Sequence, residues 1–551
     1  MSLRNRLVPR LVLPRFVLPI ILGSLAVLAG CGGGTNNPIA PPSGAFSNTN
    51  FSGTYVLSVL GADIGTGNGS FFAMAGTVTA CGCSGGMISG GTIDLVDNTG
   101  TAPASAVGTN STYSISKDGR GFAKLFITPT GGTAFEVDVD FVLTSSSHGL
   151  ITRFDGSGTG SGTIDLQPSV VAQSALADTP FAYTLAGGDL AEDPLSQTGA
   201  FTLDSSGNVT TGVADTTVFS LTTLSATTNA NSALTGSVQA GSGTAPGPAS
   251  LAATGLGTLS FDIYPIDSTH LKIIETDGFE ILVGDVFTQP SATIPAGNLV
   301  FSVAGPDPGG APFAAAGVMT SNGTSIPSGS EDLNDAGTVD FGSNPVASQP
   351  FSGSFSATGG GRFLVTLSTF AGGTLFAAYP SSGGLLLQEI DSGAGAGVTS
   401  GVALAQTSGA SITSSQGYGM NVTGADLFNG VELDEIGEFQ TSTTGMTGLL
   451  DENDFTVALG TSNLSGTYTA GSGGAGSATF NNTVPASIFY YAADGSTALV
   501  LSTDSSVVGL GTLEIQTTPT QAALERPRAL PMLRLIPHSA SAHNKARFVR
   551  K

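Results

Sequence analysis

Apolar and polar residues alternate along much of this chain, which is the pattern of a half-buried antiparallel strand. Segment 135–141, FEVDVDF, places carboxylates on one face and apolar side chains on the other, and segment 261–264 keeps the same phase. Turn-forming residues at 117–121 and 205–208 separate neighbouring segments. In the first part of the chain the pattern predicts eight strands, at about 53–60, 71–80, 87–96, 111–116, 121–128, 134–143, 149–154 and 162–167.

Three markers recur in the same order four times along the chain. A glycine followed three residues later by an aspartate occurs at Gly91/Asp94, Gly212/Asp215, Gly329/Asp332 and Gly448/Asp451. A glycine five residues before a glutamine ends each unit, at Gly162/Gln167, Gly284/Gln289, Gly401/Gln406 and Gly511/Gln516. Another aspartate precedes each ending, at Asp155, Asp277, Asp391 and Asp504. Such self-similarity predicts four repeats of one structural unit.

The strand pattern and the repeats together predict an all-β protein with four tandem antiparallel β-meander domains. No segment between the predicted strands is long enough for a parallel crossover helix. Eight short strands joined by turns favour an eight-stranded barrel, since closure removes exposed edges, and a β-sandwich is the alternative. The predicted repeats span residues 47–169, 176–291, 294–408 and 412–518.

Composition supports folded domains and shows an uneven distribution of charge. Hydrophobic residues make up 40% of the 551 residues and charged residues only 10%, which argues against a wholly disordered chain. The net charge is −23, yet four arginines lie in the first fifteen residues and seven cations in the last thirty. The central part is therefore strongly acidic, and we expect it to bind no nucleic acid. The basic segment 519–551 is predicted to be a disordered tail, and contact with anionic lipids or cell-wall polymers is the alternative.

The amino terminus has the pattern of an export signal. Arginines precede the apolar run 16–28, which is too short for an ordinary membrane-spanning helix. The run ends in Leu28-Ala29-Gly30-Cys31, which resembles the lipobox of bacterial lipoproteins in every position. The resemblance implies a signal peptide at 1–30, diacylglycerol transfer to the Cys31 thiol, cleavage before Cys31 and acylation of the new amino terminus. An ordinary secretory signal with a chance cysteine is the alternative.

Residues 31–46 contain Gly and Pro and are predicted to form a flexible tether behind the lipidated Cys31. Gly32, rather than aspartate, beside Cys31 is similar to the signal for outer-membrane delivery in lipoproteins. With its repeats, the chain resembles poorly characterised tandem-repeat, β-rich envelope lipoproteins. This resemblance implies a lipid-anchored protein of the bacterial cell envelope, in the outer membrane, with palmitate among its acyl chains.

Several residues have reactive side chains and are catalytic candidates. Segment 82–86, GCSGG, matches the G-x-S-x-G string of serine hydrolases, but a strand rather than a helix is predicted to follow it. Cys81 and Cys83 are a reactive pair, two metal ligands or a disulfide formed after export. His148 and His270 occupy matching positions in units one and two, where each either caps a turn or pairs with Asp155 or Asp277. We predict no catalytic residue and no cofactor-binding residue.

The aspartates of the first marker are the metal candidates. Asp94, Asp215, Asp332 and Asp451 recur at one position of the repeat, and further acidic residues follow or precede the last two. Calcium prefers such oxygen-rich loops, whereas aspartate is also a common turn former. Calcium sites and structural turns therefore both remain open, and no other cofactor is expected.

The predicted function is that of a non-enzymatic structural, adhesion or binding module of the envelope. Its partners would be membrane lipid, through acylated Cys31, and an envelope or surface protein or glycan. A small apolar ligand inside one or more barrels is the alternative, because closed eight-stranded barrels can hold one. A secreted hydrolase is the third hypothesis.

Overall fold

The computed structural model describes residues 44–64, 69–340, 349–455, 457–481, 483 and 485–517. These residues form 35 β-strands and three 3-10 helices, the latter at Asn48–Asn50, Gln173–Ala175 and Ser472–Gly474. The predicted signal peptide (1–30), the predicted lipidation site Cys31, the tether up to residue 43 and the predicted tail (519–551) lie outside the described residues.

Barrel 1 is an up-and-down meander whose first and last strands pair antiparallel, β1 with β9. Its fourth strand is broken into β4 and β5, and both pieces pair with β6, so the barrel has eight strand positions. The strands are β1 (Ser52–Asp63), β2 (Ser70–Cys81), β3 (Ile88–Asp97), β4 (Gly100–Val107), β5 (Thr112–Ile115), β6 (Arg120–Thr128), β7 (Phe135–Leu143), β8 (His148–Asp155) and β9 (Gly158–Gln167).

Barrel 2 repeats this plan, with β10 paired to β18 and a fourth strand interrupted at Leu234 between β13 and β14. The strands are β10 (Pro180–Asp189), β11 (Pro194–Leu203), β12 (Val209–Ser220), β13 (Ser225–Ala233), β14 (Thr235–Val238), β15 (Gly247–Ala253), β16 (Gly257–Pro265), β17 (His270–Glu275) and β18 (Glu280–Thr288).

Barrel 3 pairs β19 with β27, and the short β22 folds back on β21 as an addition to the eight strands of the barrel. The strands are β19 (Ala296–Pro306), β20 (Pro312–Asn322), β21 (Ser325–Asp335), β22 (Thr338–Asp340), β23 (Gln349–Gly359), β24 (Arg362–Ser368), β25 (Leu375–Ser381), β26 (Gly384–Glu389) and β27 (Ser400–Ala405).

Barrel 4 has eight uninterrupted strands in a closed sheet. They are β28 (Gly417–Asp426), β29 (Val431–Thr441), β30 (Gly445–Asp454), β31 (Val457–Ala470), β32 (Ala475–Asn481), β33 (Ser487–Ala492), β34 (Thr497–Ser502) and β35 (Val507–Ile515). The predicted all-β architecture of consecutive eight-stranded barrels is confirmed.

Each barrel is filled by alternate residues of its strands, as the sequence pattern requires. On β1, Tyr55, Leu57 and Val59 point into the interior of barrel 1, whereas Val56 and Leu60 belong to an apolar cluster shared with barrel 2. The first strands of a barrel are therefore buried on both faces, and burying each such aliphatic side chain stabilises the fold by about 1.5–3 kcal/mol. This double burial explains why β1 lacks the apolar–polar alternation of β7.

The four barrels contact one another through the same two faces. Strands one to three of each barrel pack against strands from the sixth to eighth positions of the next: β1–β3 against β16–β18, β10 and β11 against β25 and β26, and β19–β21 against β33–β35. Strands β28–β30 of barrel 4 then pack against β7–β9 of barrel 1. Such head-to-tail contacts usually join separate subunits, and here they close a cycle within one chain.

Candidate functional site

The aspartates of the first marker all lie on the third strand of their barrel and face the next barrel in the cycle. Each is buried, with at most 7% of its surface exposed. Each accepts a hydrogen bond from the next barrel: Asp94 from the Tyr264 hydroxyl (2.7 Å), Asp215 from the Tyr379 hydroxyl, Asp332 from the Tyr491 hydroxyl and Asp451 from Arg120 Nη1 (3.0 Å). These aspartates therefore form one recurring barrel-to-barrel contact.

Asp215 makes the most extensive of these contacts. Arg362 donates from Nε to Oδ2 at 2.7 Å and from Nη2 to Oδ1 at 2.8 Å. The amide of Asn231 donates to Oδ1 at 2.8 Å. This bidentate, charge-assisted pairing satisfies both the buried carboxylate and the buried guanidinium.

The contact between barrels 4 and 1 replaces the tyrosine with an arginine. Val142 of barrel 1 occupies the strand position that Tyr264 has in barrel 2. Val142 pairs with Leu150 and Tyr264 pairs with Lys272, and each of these partners lies two residues after the histidine of its barrel. Arg120 begins β6, as Arg362 begins the corresponding strand of barrel 3. Arg120 donates from Nε to Asp118 at 3.1 Å as well as to Asp451. An arginine therefore supplies the polar half of this contact.

The glutamines that end each repeat form a second recurring contact. Every one donates its side-chain amide to a backbone carbonyl of the next barrel, which satisfies an oxygen at the end of a strand or turn. The pairs are Gln167 to Pro265 (2.5 Å), Gln289 to Gly361 (3.1 Å), Gln406 to Ala492 (2.9 Å) and Gln516 to Leu143 (3.0 Å).

The four calcium candidates are thus placed at four separate contacts and are not brought together. Burial and the neighbouring Asp262 raise the pKa of Asp94 to about 7, against the opposing effect of the Tyr264 hydroxyl. Among the residues that the structure describes, no group of three or more acidic, histidine or cysteine side chains is arranged to hold a metal ion. Calcium binding stays a prediction, and the observed partners of these aspartates are tyrosine, arginine and backbone groups.

Cys81 and Cys83 form a disulfide, with their Cα atoms 5.1 Å apart. Of the three alternatives that the sequence left open, the structure contains the disulfide. Ser84 of the G-x-S-x-G string lies exposed in the turn after β2, and the strand β3 follows it. A nucleophile elbow requires a helix after the serine, so this turn lacks that geometry.

The two histidines pair with aspartates other than Asp155 and Asp277, so the alternative of those two pairings is wrong. His148 Nδ1 lies 2.6 Å from Asp165 Oδ1, and His270 Nε2 lies 2.7 Å from Asp285 Oδ1. Each histidine lies at the start of the seventh strand of its barrel, which pairs with the end of the eighth strand, where Asp165 or Asp285 lies. Asp155 and Asp277 lie at or just beyond the opposite end of the seventh strand.

Lys272 joins the histidine pairs across the contact between barrels 1 and 2. Its Nζ lies 2.6 Å from Asp285 and donates to Thr163 Oγ1 of barrel 1 at 2.8 Å. The His270 ring stacks on Phe287, with ring centroids 4.4 Å apart. This group is a buried ionic network between barrels, in which the charges are paired as burial requires.

Barrel 3 contains an apolar cavity of about 20 Å³. All of its lining residues are apolar, and five are phenylalanines: Phe301, Phe351, Phe355, Phe370 and Phe376. A cavity of this size holds about one water-sized group.

Comparison with known proteins adds no relative: neither a protein-family model nor a curated protein matches this chain. Over the described part of the chain, no helix is both long enough and apolar enough to cross a membrane.

Sequence reasoning found the aspartates and glutamines but missed their partners. Arg120 and Arg362 are two of only six cations between residues 44 and 517, a scarcity that marks them as unusual. Tyr264, Tyr379 and Tyr491 each precede the third-marker aspartate by 12 or 13 residues. These two regularities were the available signals.

Proposed function

We propose that this protein is a lipid-anchored lipoprotein of the bacterial cell envelope, in the outer membrane, whose four barrels act as a non-enzymatic structural, adhesion or binding module. The observation that carries the proposal is that polar residues present in every repeat make contacts between barrels. The aspartate and glutamine present in every repeat hydrogen-bond one barrel to the next. Residues that recur in order to join barrels stabilise their arrangement rather than take part in a reaction.

The anchor is supported by the lipobox-like sequence that ends at Cys31. Labelling cells with a palmitate analogue tests it, because the chain contains only three cysteines. We expect wild-type protein and the Cys81→Ser/Cys83→Ser control to carry the label and Cys31→Ser to lose it. Label that persists in Cys31→Ser would reject the anchor.

The module role is tested with the non-acylated Cys31→Ser chain. We expect it to bind a specific envelope protein or glycan on an array without chemically changing any member of a broad substrate panel. Turnover above that of a heat-denatured sample would reject the non-enzymatic role. Loss of that turnover in Ser84→Ala would instead support the secreted hydrolase.

A second candidate function is the binding of a small apolar molecule inside barrel 3. The wholly apolar, phenylalanine-lined cavity favours it, since such cavities stay dry and accept apolar guests. Because the cavity is small, a ligand larger than a water-sized group must displace one of the rings.

Native mass spectrometry of the purified protein tests this candidate, with a matched pair of filling variants. Val303 lines the cavity, and Val59 holds the same strand position in barrel 1, each opposite the glycine of its closing marker. We expect Val303→Phe to remove a bound apolar mass and Val59→Phe to keep it. An adduct-free wild-type protein would reject this function.

A further inference from the structure

One of the four barrel contacts lacks a connecting segment of chain. Segments 168–179, 289–295 and 406–416 join barrels 1 to 2, 2 to 3 and 3 to 4. Barrel 4 meets barrel 1 only through side chains and backbone atoms that are distant in sequence. This contact, termed the seam, is made by β28–β31 and β35 with β6–β9. It is therefore the contact that can separate while the chain still holds the other three pairs adjacent.

His148 bridges the seam in a way that fixes its protonation. Its Nδ1 lies 2.6 Å from Asp165 of barrel 1, and its Nε2 lies 2.9 Å from Glu514 of barrel 4. Carboxylates only accept hydrogen bonds when ionised, so a ring bonded to both must donate from both nitrogens. The bridging ring is therefore an imidazolium.

The charges around His148 favour that imidazolium. Burial lowers the pKa of His148, but Glu514 and Asp165 outweigh it, and the pKa is raised well above its ordinary value. Lys272 and His270 of barrel 2 also act on Asp165, whose pKa is lowered against the opposing effect of burial. The third barrel 2 group of this network, Asp285, lies 2.7 Å from His270 Nε2 and 2.6 Å from Lys272 Nζ.

A second set of acidic groups lies across the seam from one another. Asp140 of barrel 1 and Glu438 of barrel 4 are 6% and 5% exposed. Burial raises the pKa of each to about 8, helped by Asp451 at the first and Asp118 at the second, and Arg120 opposes both shifts. Near neutral pH these two groups keep their protons, and above pH 8 they add negative charge to a buried contact.

We propose that the seam is a proton-operated latch, which is closed while the His148 imidazolium bridges Asp165 and Glu514 and opens when that bridge loses its proton. Loss of the proton removes one of the two hydrogen bonds of the bridge together with its positive charge, and the threonine donors of Asp165 and Glu514 supply no charge in its place. Ionisation of Asp140 and Glu438 acts in the same direction. Alkaline conditions therefore release barrel 4 from barrel 1, independently of the anchor and module roles proposed above.

Hydrogen–deuterium exchange of the full chain between pH 6 and 10, corrected for the intrinsic pH dependence of exchange, tests the latch. We expect β7–β9 and β28–β30 to lose protection as pH rises, whereas β19, β20, β33 and β34 at the contact of barrels 3 and 4, which carry no acidic or basic side chain, stay protected. His148→Gln should increase seam exchange at pH 7 by about tenfold, the size of one charge-assisted hydrogen bond.

The control is Arg362→Gln, because Arg362 makes a buried, charge-assisted contact between barrels 2 and 3, away from the seam. It should leave seam exchange unchanged. Seam protection that is constant from pH 6 to 10, equal effects of the two variants, or simultaneous loss of protection in all four barrels would each overturn the latch.

Discussion

Tyr379 of barrel 3 donates its hydroxyl hydrogen to Asp215 of barrel 2, and Arg362 binds the same carboxylate with two nitrogens. The carboxylate is completely buried, and the guanidinium is nearly so. A tyrosine and an arginine thus converge on one aspartate at a contact between two barrels. In every repeat the aspartate accepts a hydrogen bond from a tyrosine or an arginine of the next barrel, which explains why it recurs at the same place.

Replacement of Asp215 by asparagine should destabilise the protein by about 3–5 kcal/mol, because the Arg362 charge stays buried without its counter-ion. Asp332→Asn is the matched control. Asp332 accepts from the Tyr491 hydroxyl, and asparagine keeps a carbonyl oxygen for that donor. Urea unfolding followed by far-UV circular dichroism compares them. Equal losses of stability in the two variants would contradict the assigned role of the arginine.

Replacement of Gln406 by leucine should cost about 2 kcal/mol, because its amide donates to two carbonyls, at 2.8 Å on Gly473 and 2.9 Å on Ala492. Gln289→Leu loses one such hydrogen bond, to Gly361, and should cost about 1 kcal/mol. Exposed Gln440 supplies the control, whose leucine variant should change the free energy of unfolding by less than about 0.5 kcal/mol. Thermal and urea unfolding midpoints rank the three variants by stability. A smaller loss for Gln406→Leu than for Gln440→Leu would contradict the role of the glutamines at the barrel contacts.

The free energy of unfolding should fall as pH rises from about 5 to 9. Burial raises the pKa of Glu275 to about 9 and those of Asp140 and Glu438 to about 8. Between the ordinary carboxyl pKa and these values the native state binds more protons than the unfolded state. Each such group then lowers stability by about 1.4 kcal/mol per pH unit. Urea midpoints at successive pH values measure this slope, which should flatten in Glu438→Gln.

Removal of the Cys81–Cys83 disulfide should have a small effect. A bridge between residues two apart closes a very short loop, so it restricts the unfolded chain little, and we expect a loss of at most about 2 kcal/mol. The Cys81→Ser/Cys83→Ser variant and the reduced wild-type protein should unfold at similar urea concentrations. A much larger loss would indicate that the turn before β3 depends on the bridge.

The strand pattern of the first repeat was largely readable from its sequence. All eight strands expected there are present, because turn residues and apolar alternation coincide along most of it. Strand β4 was missed. Its Pro103 removes a backbone donor and its Ala104 has a φ of 47°, so the segment resembles a loop although it pairs with β3.

The partners of the marker residues were beyond a local reading. Asp215 and Tyr379 are 164 residues apart, so the residues that flank either one in sequence give no sign of their contact. The sequence suggested calcium for such aspartates because carboxylates and turns occur together at calcium sites. The observed donors come from the following repeat, which only the packing of one barrel on the next brings near.

The closed cycle also means that barrels 4 and 1 meet at a contact equivalent to the three contacts whose barrels are linked by the chain. The order of the barrels in the sequence then depends only on which of the four contacts is left without a linking segment. A circularly permuted protein that starts at barrel 2 and ends at barrel 1 should assemble the same neighbours, provided that a short linker joins Gln516 to the segment before Ser52. The four barrels would thus be interchangeable in order of synthesis but not in position.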